Sequence, residues 1–103
     1  MADFKVIIKK HDGTENDEHT YWGSVFIMPD HIQTKELKDF DASSGTLSAT
    51  FSFSQDVIPV GKKFVACVYG YDNEDEDLDV AECKIGENHP APQPEVIEFP
   101  HNP

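Results

Sequence analysis

A chain of 103 residues, 38% hydrophobic and 11% aromatic, has enough apolar side chains for one buried core and too few residues for two, which excludes both a disordered chain and a two-domain one. Acidic residues outnumber basic ones by 20 to 8, every basic residue is a lysine, and the formal net charge is -12. That balance argues against nucleic acid and anionic membrane surfaces as partners, and favours cations and basic proteins.

In chain order, Phe4, Val6 and Ile8 alternate with Lys5 and Lys9, predicting a strand over 4–11 that ends in the acidic turn 12–18. The start, MADFKVIIKK, has no signal-peptide apolar region, so the expectation is a cytoplasmic protein or one whose leader has been removed. Residues 20–28 carry Tyr21, Val25 and Ile27 on one face and Trp22, Phe26 and Met28 on the other, which predicts a second strand buried on both faces and stopped by Pro29. Between 30 and 41, good helix formers at 33–38 compete with a short edge strand at 36–41, and strand is the favoured reading.

From 46 to 54 the alternation is unbroken, with Leu47, Ala49, Phe51 and Phe53 facing one way and Thr46, Ser48, Thr50, Ser52 and Ser54 the other. After a connector at 55–62, strands at 63–71 and 79–85 are close enough to form an antiparallel hairpin around an acidic loop. A proline-rich connector over 86–94 leads to a last short strand at 95–99. About seven strands and no convincing long helix predict an all-β, two-sheet β-sandwich filling a single domain, 1–103. Its core is expected to be Phe4, Val6, Ile8, Trp22, Phe26, Leu47, Phe51, Phe53, Phe64, Ala66 and Val68.

The run Ser44-Gly45-Thr46-Leu47-Ser48-Ala49-Thr50-Phe51, followed by Val60-Gly61-Lys62-Lys63-Phe64-Val65, resembles a pattern of immunoglobulin-like domains in prokaryotic surface proteins. The ending Cys83-Lys84-Ile85-Gly86-Glu87-Asn88-His89-Pro90, with Pro94-Glu95-Val96 after it, is similar to the tail of small secreted or anchored archaeal β-sandwich domains, which commonly has serine where this chain has His89. The resemblance implies an immunoglobulin-like sandwich and an extracellular or cell-surface location.

Residues 72–79 read Asp-Asn-Glu-Asp-Glu-Asp-Leu-Asp, a density of carboxylates that suits an ion taking about six to eight oxygen ligands. The expected function is therefore calcium binding, structural or sensory, at Asp72, Glu74, Asp75, Asp77 and Asp79. An EF-hand is excluded, since Val80 stands where the turn needs glycine and Gly86 where the bidentate glutamate belongs. Asp12, Glu15, Asp17 and Glu18 form a second candidate, expected at the opposite end of the sandwich, while Asp30, Asp39 and Asp41 are expected to help the hairpin site. The bland alternative is a solvated acidic tip.

The histidines His11, His19, His31, His89 and His101 lack the short spacings of a zinc or copper site and read as surface residues. Cys67 and Cys83 lie equally far from Asp75, hence opposite each other in the hairpin, as a disulfide or as two reduced thiols. No phosphate loop, nucleophile elbow or Ser, His and Asp set is present, so the chain is not expected to be an enzyme. The other functional reading is a protein-interaction or adhesion module, with Trp22, Tyr69 and Tyr71 in a contact face and the acidic loops steering a basic partner.

Overall fold

Where one side chain in two is apolar the chain is extended, and these segments pair into two sheets. The computed structural model describes residues 3–11, 19–89 and 94–99, with backbone alone at 79 and 80. The strands among the described residues are β1 (Phe4–His11), β2 (His19–Ile27), β3 (His31–Glu36), β4 (Asp39–Asp41), β5 (Thr46–Phe53), β6 (Lys63–Asp72), β7 (Leu78–Glu87) and β8 (Glu95–Phe99). They form two four-stranded sheets, ordered β4-β5-β1-β8 and β3-β2-β6-β7, packed as a β-sandwich. Pairing is antiparallel except that β8 lies parallel to β1, so the last strand closes the sheet begun by the first. The stretch 30–41 is extended, as favoured, but is two strands in different sheets, which makes eight strands among the described residues in place of about seven.

The core lies between the sheets. Phe4, Val6 and Ile8 of β1 and Leu47, Ala49, Phe51 and Phe53 of β5 face Val25, Ile27, Phe64, Ala66 and Val68 of the other sheet. Phe4 and Phe64 meet edge to face across the gap, with ring centroids 5.7 Å apart. Leu37, Ile58 and Phe99 complete the core. Trp22 and Phe26 do not belong to it, and β2 is not buried on both faces. Its inward side is Tyr21, Gly23, Val25 and Ile27, and nothing in the described chain covers the other. Gly23 permits a close approach of the sheets, because a Cβ there would stand 3.1 Å from Ile8 Cδ1 and 3.2 Å from Phe51 Cζ. Gly86 likewise makes room for the Phe64 ring, whose Cζ would be 2.3 Å from an added Cβ.

Polar side chains lace both open edges of the sandwich. On one, Gln33 Nε2 donates to Ser52 O (2.6 Å) and Lys35 Nζ to Thr50 O (2.7 Å). On the other, Lys84 of β7 donates to Glu98 O of β8 (2.5 Å), with its ammonium 5.5 Å from the Phe99 ring centroid. Asn88 is buried: its Nδ2 donates to Ile58 O and its N–H to Lys62 O, tying the β5–β6 connector beneath the end of β7.

Candidate functional site

The uncovered face of β3-β2-β6-β7 is built by strand alternation, which sends every second side chain away from the core. Register groups these residues into cross-strand rows. Ile32, Phe26, Val65 and Ile85 make one row, and Thr34, Ser24, Cys67 and Cys83 the next. Glu36, Trp22, Tyr69 and Ala81 make the third, and Thr20, Tyr71 and Leu78 the fourth. Ile85 is 72% exposed, Leu78 65% and Ile32 56%, while Trp22, Phe26, Tyr69 and Tyr71 are half-buried. In a protein with 27% charged residues, Glu36 is the one charge among the described residues of these four rows. The four rows cover about 20 Å along the strands and ~14 Å across them, on the order of 300 Å². The largest apolar patch on a typical soluble protein is about 300–600 Å² and is often functional, and this face reaches the lower end of that range with a hydroxyl row, Thr34 and Ser24, running through it. Tyr69 and Ser24 hydroxyls lie 3.2 Å apart and Ser24 reaches Thr34 at 2.9 Å, so the centre of the face is internally hydrogen-bonded.

One end of this face is strongly acidic. The β6–β7 tip is a turn held by its own carboxylates: Asp72 Oδ1 accepts the N–H groups of Glu74 (2.8 Å) and Asp75 (3.4 Å), and Asp75 Oδ1 accepts that of Asp77 (3.2 Å). The other oxygen of Asp72 faces His19 Nε2 at 3.9 Å, and Thr20 Oγ1 donates to Asn73 Oδ1 (3.1 Å). Burial holds the Tyr71 phenol proton on, and the charges of Glu76, Asp77 and Asp75 add to that, so it stays a neutral donor beside the tip. The buried ammonium of Lys10 lies at this end too, donating to His11 O (3.0 Å) and 5.5 Å from the Tyr21 ring centroid.

Asp72, Glu74, Asp75 and Asp77 therefore share one tip, with Asp79 just beyond it in β7; the side chain of Asp79 lies outside the described residues. Asp12, Glu15, Asp17 and Glu18 also lie outside them. The loop that carries them nevertheless starts after His11 and ends at His19, and His19 pairs with Asp72. The two acidic loops thus leave the same end of the sandwich, contrary to expectation, because β2 runs antiparallel to β6 and begins where β6 stops. Asp30 lies between β2 and β3, at the far end of β2, and so cannot join the hairpin tip; Asp39 and Asp41 are in the other sheet. Asp41 instead caps its own turn, accepting from the Ser43 N–H and hydroxyl, which hold its carboxyl below the usual range. Among the described residues no three His, Cys, Asp or Glu side chains converge as metal ligands do. Cys67 and Cys83 are register partners joined as a disulfide, with Cα atoms 4.1 Å apart, in the middle of the exposed face.

Where β7 and β8 part, an open cleft of about 470 Å³ is lined by Lys63, Ile85, Glu87, His89, Glu95 and Val96. His89 Nδ1 lies 2.9 Å from Glu95 Oε1, and its N–H donates to Glu95 Oε2 (3.3 Å), a clasp between the end of β7 and the start of β8. The Glu95 hydrogen bond raises the His89 pKa, with the charges of Glu95 and Glu87 acting the same way and burial opposing them. A raised folded-state pKa stabilises the fold fully below the unfolded value of about 6.5, and that stabilisation is lost as pH rises through the folded value. Titration of the His89 ring by NMR should show this raised midpoint in the wild type and a return towards the unfolded value in Glu95→Gln. An unchanged midpoint would dissolve the clasp.

Comparison with known proteins found no matching family, no matching curated protein and no matching solved structure. Of the residues of this outer face, Ile32, Val65 and Ile85 were missed by sequence reasoning. Val65 alternates with the buried Phe64 and Ala66, whereas Ile32 and Ile85 stand among polar or exposed neighbours in β3 and β7 and carry no such signal.

Proposed function

We propose that this chain is a protein-interaction module that docks a basic, apolar-faced partner on the outer side of β3-β2-β6-β7. What carries the reading is the exposed set of apolar rows, with aromatic anchors Trp22, Tyr69 and Tyr71 of the kind that dominate binding energy. The acidic end beside Tyr71 and the net charge of -12 supply long-range attraction for lysine- and arginine-bearing surfaces. A second copy is a poor occupant, since it brings the same charge of -12. The module is non-enzymatic. A disulfide favours an oxidising, extracellular or surface location. The immunoglobulin-like reading draws on sheet order: β4-β5-β1 and β3-β2-β6-β7 follow the DEB and C′CFG orders, with β8, parallel to β1, where strand A would lie.

A displayed peptide library selected on the immobilised chain should enrich sequences that combine aromatic or aliphatic residues with lysine or arginine. Binding should fall at least about tenfold in Trp22→Ala and Ile85→Ser, and weaken with added salt. Enrichment of acidic sequences, or equal binding by both variants, would sink the idea. Calcium binding is the second reading, favoured by the two acidic loops leaving one end of the sandwich. On that reading calorimetry gives a dissociation constant near about 10⁻⁴ to 10⁻³ M, lost in Asp75→Asn with Asp77→Asn; no heat at millimolar calcium removes it.

A further inference from the structure

Cys67 and Cys83 are bonded but unequally placed. Cys83 is on β7, the edge strand of its sheet, with its side chain exposed, whereas Cys67 is on the interior strand β6 and 9% exposed. The bond therefore points from the middle of the sheet to its edge. A thiolate displaces a disulfide sulfur in line with the bond that breaks, so access decides which sulfur is attacked. The line to Cys83 Sγ comes in from solvent beyond β7. The line to Cys67 Sγ comes in over β2, where Cys67's register partner is Ser24, 3% exposed and hydrogen-bonded to the hydroxyls of Thr34 and Tyr69.

We propose that Cys83 Sγ is a thiol-exchange site that accepts low-molecular-mass thiols while the domain stays folded. A thiolate attacks Cys83 Sγ, the Sγ–Sγ bond breaks, and its electron pair leaves on Cys67, which takes a proton from water. The product is a mixed disulfide on Cys83. A second thiolate attacks the small-molecule sulfur of that adduct, releasing a symmetrical small disulfide and the Cys83 thiolate. Two thiols have then been oxidised and one protein disulfide reduced. The fold does not depend on the bond for its topology: the β6–β7 ladder pairs from Lys63 with Glu87 through to Tyr71 with Leu78, on both sides of the cysteines. An adduct on Cys83 stands within the face described above, so any effect on docking rests on that reading, whereas the exchange itself does not.

The test treats the native, oxidised protein with glutathione, quenches with acid and a maleimide, and locates the glutathione by mass spectrometry of the digested chain. Adducts on Cys83 should exceed those on Cys67 by about tenfold or more, at a rate unaffected by denaturant below the unfolding transition. The single variants Cys67→Ser and Cys83→Ser offer an independent measure, since the thiol of the first should react with glutathione disulfide faster than that of the second. Equal or Cys67-favouring adducts, or exchange that tracks global unfolding, would overturn the assignment.

Discussion

Phe51→Ala should destabilise the protein by about 3 to 5 kcal/mol, the range for deleting a buried phenyl. Phe51 has no exposed surface, lies in β5 opposite Val6 of β1, and spans the sandwich to the backbone of Gly23 on the facing sheet. Glycine has no side chain with which to fill the space, and the neighbouring Ile8 and Leu37 are already committed to the same gap, so the cavity collapses little. The upper half of the range is therefore the expected outcome. Against a total stability of about 5 to 15 kcal/mol for a chain of this size, that is a large share, and the melting temperature should fall by more than about 10 °C. Ser52→Ala is the control. Its side chain points away from the core, and the carbonyl that accepts from Gln33 is backbone and survives. Urea unfolding of the two variants reads both effects, and a Phe51→Ala protein melting within a degree or two of wild type would mean that the inward face of β5 is misassigned.

The difference between these neighbouring residues was legible in the sequence, because β5 is apolar on one face and hydroxylated on the other. β2 shows why the same reasoning stops. Tyr21, Val25 and Ile27 alternate with Trp22, Phe26 and Met28, and a period of two identifies a strand without saying which of two apolar faces is covered. Trp22 and Phe26 were thus assigned to the core when they belong to the outer face, and the contact face read from Trp22, Tyr69 and Tyr71 lacked their apolar neighbours Phe26, Ile32, Val65 and Ile85. Ile58 and Phe99 escaped for a different reason: one follows a single 3-10 turn and the other ends a short strand, so neither has a periodic neighbourhood to mark it. The position of the acidic loops is a property of strand order, which local pattern does not encode. The cysteines were legible as neighbours because a hairpin centred on Asp75 is symmetric about it. That symmetry holds from Lys63 to Gly70 and breaks only at the irregularity between Gly70 and Tyr71, beyond the disulfide.

Removing that disulfide is the second large expected effect. Cys67→Ser with Cys83→Ser should destabilise the protein by about 3 kcal/mol, the loop-closure value for a cross-link of this span. The two cysteines are 16 residues apart and already aligned by the β6–β7 ladder, so the folded state changes little when serine replaces them. The loss comes from the unfolded chain. There the bond confines a segment that contains Asp72, Glu74, Asp75, Glu76 and Asp77, whose mutual repulsion favours expansion once the bond is gone. A more expanded unfolded state exposes more surface, so the urea dependence should steepen as the midpoint falls. Added salt should shrink the difference between variant and wild type, because screening relieves the same repulsion. Urea titrations at two ionic strengths measure all three quantities. A loss below about 1 kcal/mol with an unchanged slope would mean that β6 and β7 stay associated in the unfolded ensemble, leaving the bond little freedom to remove.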